Sequence, residues 1–241
     1  AKHPFFAKRY DAGLAGCFET FSKRECVNTE DTRLAMNRDQ PAKQHNFTEL
    51  GFKKVRVPEP AWSKVLAFYE KYKDQAVPEE WPRGYTYVNT WESPTDMISL
   101  ENKLFREGQG LKNLVWNSMK PILEEWTGQK LEPTSMYGIR VYRNDAVLAT
   151  HVDRLPLVSS CIIQVSQDLD EDWPVEVYDH TGKGHNVTMQ PGDAVLYESH
   201  TVLHGRPFPL KGRHYANLFV HFQPIGYNTF NKKERGNMKK G

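Results

Sequence analysis

The sequence is poor in cysteine, contains no long apolar run and carries almost no net charge. Cys161 lies in an apolar stretch and is expected in the core, whereas Cys17 and Cys26 could form a disulfide or remain thiols. No apolar run is long enough to span a bilayer, so we expect a soluble protein without a membrane partner. The net charge of +2 comes from scattered Lys and Arg residues, which argues against a nucleic-acid partner.

The sequence also lacks an initiator methionine, internal repeats and low-complexity segments. The first absence indicates a processed or truncated chain, in which a targeting signal would not be visible, so the compartment is not predicted. The oligomeric state is not predicted either. With 241 residues, of which 39% are hydrophobic, the chain can build a substantial core. We therefore expect residues 1–241 to form a single domain.

The pattern of the sequence changes at Tyr137. Residues 1–136 form a mixed part, and its first 50 or so residues are polar and show no period. Apolar residues then recur at helical spacing in AWSKVLAFYEKYKD and in GLKNLVWNSMKPILEEWTG, the second with an expected kink at Pro121 and an end at Gly128. The segment YTYVNTW between them is predicted to be a strand. Residues 75–110 are rich in turn formers and could form a lid.

Residues 137–224 contain strands of four to nine residues that alternate with turn-forming segments such as RND, QDLDED and QPGD. This alternation is typical of an antiparallel sandwich or barrel. Helices followed by a barrel indicate an α+β fold with a mainly β core, in which the N-terminal helices pack against one sheet. Residues 225–241 are interpreted as a basic, solvated tail.

The segment THVDR, residues 150–154, lies between two of the predicted strands. Side chains alternate along a strand, so His151 and Asp153 point to one face while Val152 points to the other. An imidazole nitrogen and a carboxylate oxygen on one face can share a divalent metal, and one further ligand would leave three coordination positions open. A hydrogen-bonded His–Asp pair on a surface strand explains these residues alone equally well.

A third ligand would come from a histidine further along the chain. The candidates are His180, His185, His200, His204, His214 and His221. His204 is preferred because it ends an apolar strand that begins after a Pro-Gly-Asp turn, and because Gly205 lets the backbone bend next to it. His200 ranks second, since it lies four residues earlier and would share the face of His204 in an unbroken strand.

Polar residues on neighbouring strands could bind a carboxylate beside this site. Arg213 opens the strand RHYANLFVHF, and a buried guanidinium is the natural bidentate partner of a carboxylate. Tyr142 could add a phenol hydroxyl to the same carboxylate. Gln164 lies among apolar residues and would contact either the ligand or a neighbouring strand. Arg206 follows His204 in a predicted turn, where a solvated position is expected.

Taken in order, these residues resemble the iron(II)- and 2-oxoglutarate-dependent oxygenases, specifically the prolyl 4-hydroxylase-like branch. Members of that branch carry His-x-Asp, a distal His and a downstream Lys or Arg, with a Tyr upstream of the first His. Here HVD is followed by His204 and Arg213 and preceded by Tyr142. The resemblance covers residues 137–224, and the ordered combination is more specific than any single residue in it.

The resemblance implies a double-stranded β-helix, a squashed jelly-roll barrel, with supporting N-terminal helices. It implies that three residues hold Fe(II), namely His151, Asp153 and His204. 2-Oxoglutarate and O2 would bind at the open positions, and the distal carboxylate of 2-oxoglutarate would meet Arg213 and Tyr142, with Gln164 nearby. The reaction would be hydroxylation or a related oxidation of an aliphatic C–H, with succinate and CO2 as co-products.

The substrate is expected to be small. Asp153 is followed by only RLPLV before the next predicted strand, which leaves little chain to fold over a peptide. We therefore expect a carboxylated, amino-acid-like molecule whose carboxylate is held by Arg154, with Arg206 as a second candidate. A proline-containing peptide or protein is the alternative, with residues 75–110 as the lid.

Two other classes of protein fit the same residues. The barrel could bind a metal without turnover, as a sensor or a storage module. A zinc hydrolase could use the same three ligands with Glu198 as its general base, although it would have no use for a buried Arg213. Production of succinate from 2-oxoglutarate distinguishes an oxygenase from both.

Overall fold

The computed structural model describes residues 14–227, and both the first 13 residues and residues 228–241 lie outside the described part. Most of the predicted basic tail therefore falls outside it. Residues 14–20 are helical. Three longer helices follow within the described range: α1 (Lys23–Asp39), α2 (Ala61–Tyr72) and α3 (Gly108–Thr127). None of the helices in this range combines the length and the apolar character that a membrane span requires.

The strands of the described residues belong to two antiparallel sheets. In chain order they are β1 (Phe52–Arg56), β2 (Val77–Pro78), β3 (Asp96–Ser99), β4 (Leu131–Ser135), β5 (Gly138–Tyr142), β6 (Leu148–His151), β7 (Ser159–Leu169), β8 (Val175–Tyr178), β9 (Gly184–Val187), β10 (Asp193–Tyr197), β11 (His204–Arg206) and β12 (Gly212–Pro224). The larger sheet has the order β1-β10-β7-β12-β5-β3-β2, with β4 paired to β12, and the smaller sheet has the order β6-β11-β8-β9.

The two sheets share a core, as expected for a jelly-roll. Val175 and Val177 of the smaller sheet pack with Ile162 and Val195 of the larger one. Strand side chains alternate, so the other face of the larger sheet is also apolar and needs cover. The predicted α+β fold with a mainly β core is confirmed.

Helices α2 and α3 provide that cover. Val65 and Phe68 of α2 and Val115 and Met119 of α3 lie at helical spacing and join one core cluster with the outer face of β12. Both helices confirm the sequence prediction. Pro121 lies inside α3, which is assigned without a break, and Gly128 ends the helix in the left-handed conformation with φ of 67°.

Two segments differ from the prediction. Helix α1 forms within residues that show no apolar period. The period is missing because the buried positions of the helix include the polar Glu30 and Arg33. The segment YTYVNTW is not a strand; within it only Val88 makes an isolated bridge, to Leu148. Cys17 and Cys26 form a disulfide that ties residues 14–20 to α1, and Cys161 is a buried free thiol as expected.

Candidate active site

The pairing of β6 with β11 places two histidines opposite each other. His151 and His204 are register partners, and their ring centroids lie 4.4 Å apart. The strands can approach because of Gly205, where an added Cβ would lie 2.8 Å from the Cα of Thr150. No other residue type fits there without moving the backbone.

Asp153 joins the two histidines in a group that can hold a metal ion. Its Oδ1 lies 3.5 Å from Nε2 of His151 and 3.9 Å from Nε2 of His204. One ligand atom from each residue lies within 4.8 Å of the others, and no second group of this kind occurs among residues 14–227. The structure therefore brings together the three residues that the sequence singled out as ligands.

The hydrogen bonds of the two rings fix which nitrogen is free. Nδ1 of His151 lies 2.8 Å from the carbonyl of Ala149, and Nδ1 of His204 lies 2.9 Å from the carbonyl of Val202. A carbonyl oxygen only accepts, so each Nδ1 carries the proton and each Nε2 keeps its lone pair. Both Nε2 atoms are thus prepared to bind a cation.

The protonation states suit the same role. Burial lowers the pKa of His204 to about 3, so that ring is neutral at physiological pH. Burial alone would raise the pKa of Asp153, but contact with His151 and the nearby His204 and His221 rings lowers it below its usual range. The group is a carboxylate with a neutral imidazole beside it, which is the state that a divalent cation requires.

The other candidate histidines lie outside this group. His200 is fully buried, and its two ring nitrogens face the carbonyls of Val158 and His45 at 3.2 and 3.1 Å. The remaining four bind elsewhere: His180 to Glu198, His185 to Asp179, His214 to Ser166 and His221 to Ser160. His200 thus has a structural role in the described chain.

A cavity of about 210 Å³ opens onto the metal-binding group. One wall is a stack of aromatic rings: Trp81 lies 4.9 Å from Tyr85, and Tyr85 lies 4.7 Å from Tyr87, with nearly parallel planes. Tyr87 then meets the edge of His151 at 5.2 Å. Burial raises the pKa of Tyr85 to about 12, so its phenol stays neutral. Tyr85 and Tyr87 belong to the segment that the sequence predicts to be a strand, and Trp81 precedes that segment.

Two arginines line the same cavity. Arg154 is exposed at its mouth, where the sequence analysis placed a substrate contact. Arg140 lies deeper and forms a bidentate pair with Glu79, at 2.7 and 2.8 Å. Since its charge is already paired, Arg140 is less available to an anionic ligand than Arg154 is.

Arg213 lies in β12, but its side chain does not point into the barrel, contrary to the sequence prediction. Its side chain is 54% exposed and pairs with Asp168 and Asp170. Those hydrogen bonds raise the pKa of the Arg213 guanidinium above its usual value. Strand alternation does not hold at this position, because the pairing of β12 with β7 shifts register between Gly212 and His214. Arg213 is exposed and His214 half-buried, and a buried run begins at Tyr215.

Arg206 is the buried guanidinium instead, and it lies in β11 and not in a solvated turn. It is fully buried between the rings of Trp173 and Tyr215, at 5.0 and 4.8 Å. None of its three guanidinium nitrogens has a hydrogen-bond partner among the described residues, and the hydroxyls of Tyr142 and Tyr215 have none either. Tyr142 and Tyr215 are register partners on β5 and β12.

Arg206, Tyr142 and Tyr215 thus surround the ring of Trp173 with buried polar groups that have no partner among the described residues. An unpaired buried charge is costly, so such a group indicates a ligand that completes it. Arg206 lies two residues after His204, a spacing that would put both on one face of a regular strand, and this spacing is the signal in the sequence that could have identified it. The pairing of β11 with β6 shifts register between the two residues.

Gln164 and Glu198 are both satisfied by the protein itself. The carbonyl of Gln164 accepts from Asn217 at 2.5 Å and its amide donates to the carbonyl of Ser166 at 2.9 Å, so it joins neighbouring strands. Glu198 is buried, and its carboxylate accepts from the backbone N–H groups of Phe47 and Thr48. Neither lines the cavity, and Glu198 has no free oxygen pointing at the metal group for base catalysis.

The sequence analysis missed the role of His221. Ser199 donates to the carbonyl of Leu157 at 3.0 Å, so Ser160 must donate to Ser199 and accept from Nδ1–H of His221, each at 2.7 Å. This chain leaves Nε2 of His221 as a hydrogen-bond acceptor. His221 lines the cavity, and its Nδ1 lies 3.8 Å from Oδ2 of Asp153.

Comparisons with known proteins identify the fold. No protein-family model matches the sequence, and no curated protein matches it. Among solved structures, a 2OG-Fe(II) oxygenase family oxidoreductase from Burkholderia pseudomallei is 13% identical with a TM-score of 0.55, over 72% of this chain and 85% of that one. A prolyl-4-hydroxylase from Pseudomonas putida is 15% identical with a TM-score of 0.51, over 73% and 93%.

A third similar structure carries ligands. HygX from Streptomyces hygroscopicus, solved with nickel, 2-oxoglutarate and hygromycin B bound, is 12% identical with a TM-score of 0.53, over 78% of this chain and 87% of that one. At these identities the likeness concerns the fold. This chain has the double-stranded β-helix fold of the 2-oxoglutarate- and iron(II)-dependent oxygenases, and the fold that the sequence resemblance implied is confirmed.

Proposed function

We propose that this chain is an iron(II)- and 2-oxoglutarate-dependent dioxygenase that oxidises an aliphatic C–H of a carboxylated, amino-acid-like small molecule. The observation that carries the proposal is the presence, inside one barrel, of a His-Asp-His group with free Nε2 atoms and a buried guanidinium that has no hydrogen-bond partner among the described residues. A purely structural metal site would be closed by a fourth protein ligand, and it would not need the guanidinium.

His151, Asp153 and His204 would hold Fe(II). Their two neutral nitrogens and one carboxylate oxygen form the donor set of non-haem iron oxygenases, which leaves positions for other ligands. Bound iron with 2-oxoglutarate and O2 supplies the oxidising power for a C–H bond, and yields succinate and CO2. The protein contributes placement of the ligands and exclusion of water.

Arg206 would bind the distal carboxylate of 2-oxoglutarate, together with the hydroxyls of Tyr142 and Tyr215. This assignment replaces Arg213 and keeps Tyr142 from the sequence prediction. A guanidinium and two phenols offer donors to both carboxylate oxygens, and the low local dielectric strengthens each bond. The carboxylate in turn removes the cost of the unpaired charge, so cosubstrate and pocket are complementary.

The cavity supports a small substrate with an anionic group. Arg154 at the mouth would orient the substrate carboxylate, and Nε2 of His221 would accept a hydrogen bond from an ammonium or hydroxyl group. The stacked rings of Trp81, Tyr85 and Tyr87 would pack against the carbon skeleton. A free amino acid or a close derivative carries all three features.

A proline-containing peptide is the second candidate substrate. Tyr137 lines the cavity and is 53% exposed, so aromatic surface is available outside the cavity for a longer ligand. One similar solved structure is a prolyl hydroxylase from Trichoplax adhaerens in complex with a peptide fragment, 11% identical over 82% of this chain and 91% of that one. Its TM-score of 0.50 concerns the fold.

The test of the substrate class is turnover with both kinds of molecule. The protein is reconstituted with Fe(II) and 2-oxoglutarate and offered free amino acids or proline-rich peptides, and oxidised products are found by mass spectrometry. The proposal predicts oxidation of a free amino acid, reduced in Arg154→Gln. Oxidation of the peptides alone, unchanged in Arg154→Gln, would replace the small-molecule assignment with the peptide one.

A further inference from the structure

We propose that helix α1 fixes the geometry of the metal-binding segment, with Asn37 as a positioning residue for the metal ligands. The inference rests on the proposed metal site, and it assigns a role to a helix that makes no metal contact. It is carried by hydrogen bonds to the backbone of residues 150–153 from Arg33 and Asn37 of α1 and from its C-cap residue Gln40.

Asn37 binds the backbone on both sides of His151. Its Nδ2 donates to the carbonyl of Thr150 at 2.9 Å, and its Oδ1 accepts from the N–H of Val152 at 3.0 Å. A side-chain amide used in this way replaces the peptide group of a neighbouring strand. Strand β6 pairs with β11 along its other edge, so the residue that carries the first ligand is held from both sides.

Gln40, at the end of α1, holds the second ligand residue. Its Nε2 donates to the carbonyl of Asp153 at 2.6 Å and to the carbonyl of His200 at 2.8 Å. The N–H of Asp153 donates to the carbonyl of Ser199 at 2.7 Å. The backbone of Asp153 is therefore fixed at both its N–H and its carbonyl, although no regular strand pairs with it.

Helix α1 is itself anchored away from the metal segment. A capping box between Ser22 and Glu25 starts the helix, and the disulfide at Cys26 ties it to the preceding helical residues. Thr29 donates to the carbonyl of Gly84, in the loop that carries the aromatic stack. The helix is thus a common support for the metal segment and for one wall of the cavity.

Arg33, which is buried, and the half-buried Asn37 both donate to the carbonyl of Thr150, which explains why the face of α1 towards β6 is polar. The side chains along that face bind a strand edge, where unpaired backbone groups need partners. Loss of this support frees the end of β6, and the ligands then have to be ordered when the metal binds. Partners that orient metal ligands typically contribute about 10- to 100-fold in metal affinity.

The test compares Asn37→Ala with the unchanged protein, using Co(II) as the probe metal. The readouts are the dissociation constant for Co(II), the visible absorption spectrum of the bound ion, and amide hydrogen exchange at Val152. We expect Co(II) binding at least about tenfold weaker, an altered spectrum and faster exchange at Val152. Asn37→Asp keeps an acceptor for Val152 and should restore the protection of that amide.

Thr29→Ala is the matched control, since it removes another side-chain anchor of α1 that does not reach β6. It should lower the melting temperature of the metal-free protein and leave the Co(II) constant and spectrum unchanged. Equal Co(II) constants and spectra for Asn37→Ala and the unchanged protein would overturn the inference. If Asn37→Ala does not fold, Gln40→Ala takes its place, and it should likewise weaken Co(II) binding and alter the spectrum of the bound ion. Failure of the unchanged protein to bind Co(II) would overturn the metal site itself.

Discussion

Arg206 combines complete burial with the absence of a hydrogen-bond partner for its guanidinium among the described residues. Contacts with the faces of Trp173 and Tyr215 recover about 0.5–2 kcal/mol each, whereas the desolvation of an unpaired charge costs several kcal/mol. The ligand-free protein therefore carries a destabilising group at this position. An unpaired buried guanidinium is expected where a bound anionic ligand pairs with its charge.

Replacement of Arg206 should change the stability of the protein and its affinity for 2-oxoglutarate in opposite directions. We expect Arg206→Met to raise the free energy of unfolding of the ligand-free protein by about 1 kcal/mol or more, because it removes the unpaired charge and keeps most of the volume. The same change should weaken 2-oxoglutarate binding by about 2–5 kcal/mol, since the distal carboxylate loses its partner. Urea denaturation and isothermal titration calorimetry measure the two effects.

Arg213→Met is the control for that experiment, because Arg213 is an exposed arginine paired with two surface carboxylates. Surface ion pairs contribute about 0–1 kcal/mol, so stability should fall slightly and the 2-oxoglutarate affinity should not change. A loss of affinity in Arg213→Met with none in Arg206→Met would return the cosubstrate contact to the strand position predicted from the sequence.

Residues of the metal group could be predicted from the sequence because their spacing obeys strand alternation and their types match metal chemistry. His151 and Asp153 share a face through the i, i+2 rule, and Gly205 marks the close approach at His204. Arg206 and Arg213 could not be told apart in this way. The pairing of β12 with β7 shifts register beside the exposed Arg213, and that shift is a property of the folded sheet.

At the scale of secondary-structure elements, the contact between β6 and β11 determines the geometry of the metal site. Both strands are short, and each contributes one histidine to the group at a position where the backbones nearly touch. The geometry of the metal site therefore depends on a distance between two backbones as well as on the ligand side chains.

Gly205→Ala should force these strands apart. The added Cβ would lie 2.8 Å from the Cα of Thr150 and 2.9 Å from the carbonyl oxygen of Leu148, and neither atom belongs to a flexible side chain. We expect a loss of stability of about 1–3 kcal/mol, as for overpacking, and weaker metal binding because the His151–His204 separation increases. Thermal unfolding and metal titration measure both.

Gly110→Ala is the contrasting control, since an added Cβ in helix α3 meets nothing within 4 Å. It should stabilise the protein by about 0.5–1 kcal/mol through the lower entropy of the unfolded chain, with unchanged metal binding. Metal affinity in Gly205→Ala equal to that in Gly110→Ala would show that the separation of the two strands is not critical.

The elements themselves were predictable where apolar residues recur with a period. Helices α2 and α3 bury apolar stripes, so their spacing is visible in the sequence. Helix α1 was not predicted, because Asn37 and its neighbours face the polar edge of a strand and leave no apolar period. The aromatic residues of YTYVNTW suggested a strand, yet Tyr85 and Tyr87 stack on each other and line the cavity.

At the scale of the whole molecule, buried neutral histidines link stability to pH. Burial lowers the pKa of His200 to about 4, from an ordinary value of 6.5. The unfolded chain therefore takes up a proton on this ring at a higher pH than the folded chain does. The contribution of His200 is complete above pH 6.5 and is lost as the pH falls from 6.5 towards 4.

We expect the free energy of unfolding of the metal-free protein to fall by about 2 kcal/mol between pH 7.5 and pH 5 because of this residue. Urea denaturation at the two pH values measures it. His200→Phe, which keeps a ring beside Phe47, should show a smaller fall. An equal fall in the variant and the unchanged protein would assign the acid sensitivity to other groups.

The chain as a whole combines a metal-binding group, a buried guanidinium without a hydrogen-bond partner among the described residues, and a cavity that opens on the metal group. The barrel fold could be predicted because short strands and turn signals alternate throughout residues 137–224. The way in which strands β1 to β4 extend the larger sheet could not be predicted, since pairing between distant segments leaves no local pattern in the sequence.

The measurement that tests the central claim most directly is the conversion of 2-oxoglutarate to succinate by the protein loaded with Fe(II) in air. The account predicts succinate formation that requires iron, that is absent in His204→Ala and that is strongly reduced in Arg206→Gln at low 2-oxoglutarate. Arg213→Gln should keep the rate of the unchanged protein. If the iron-loaded protein forms no more succinate than His204→Ala, with or without amino acids and proline-rich peptides, the barrel binds a metal without this chemistry and the account is contradicted.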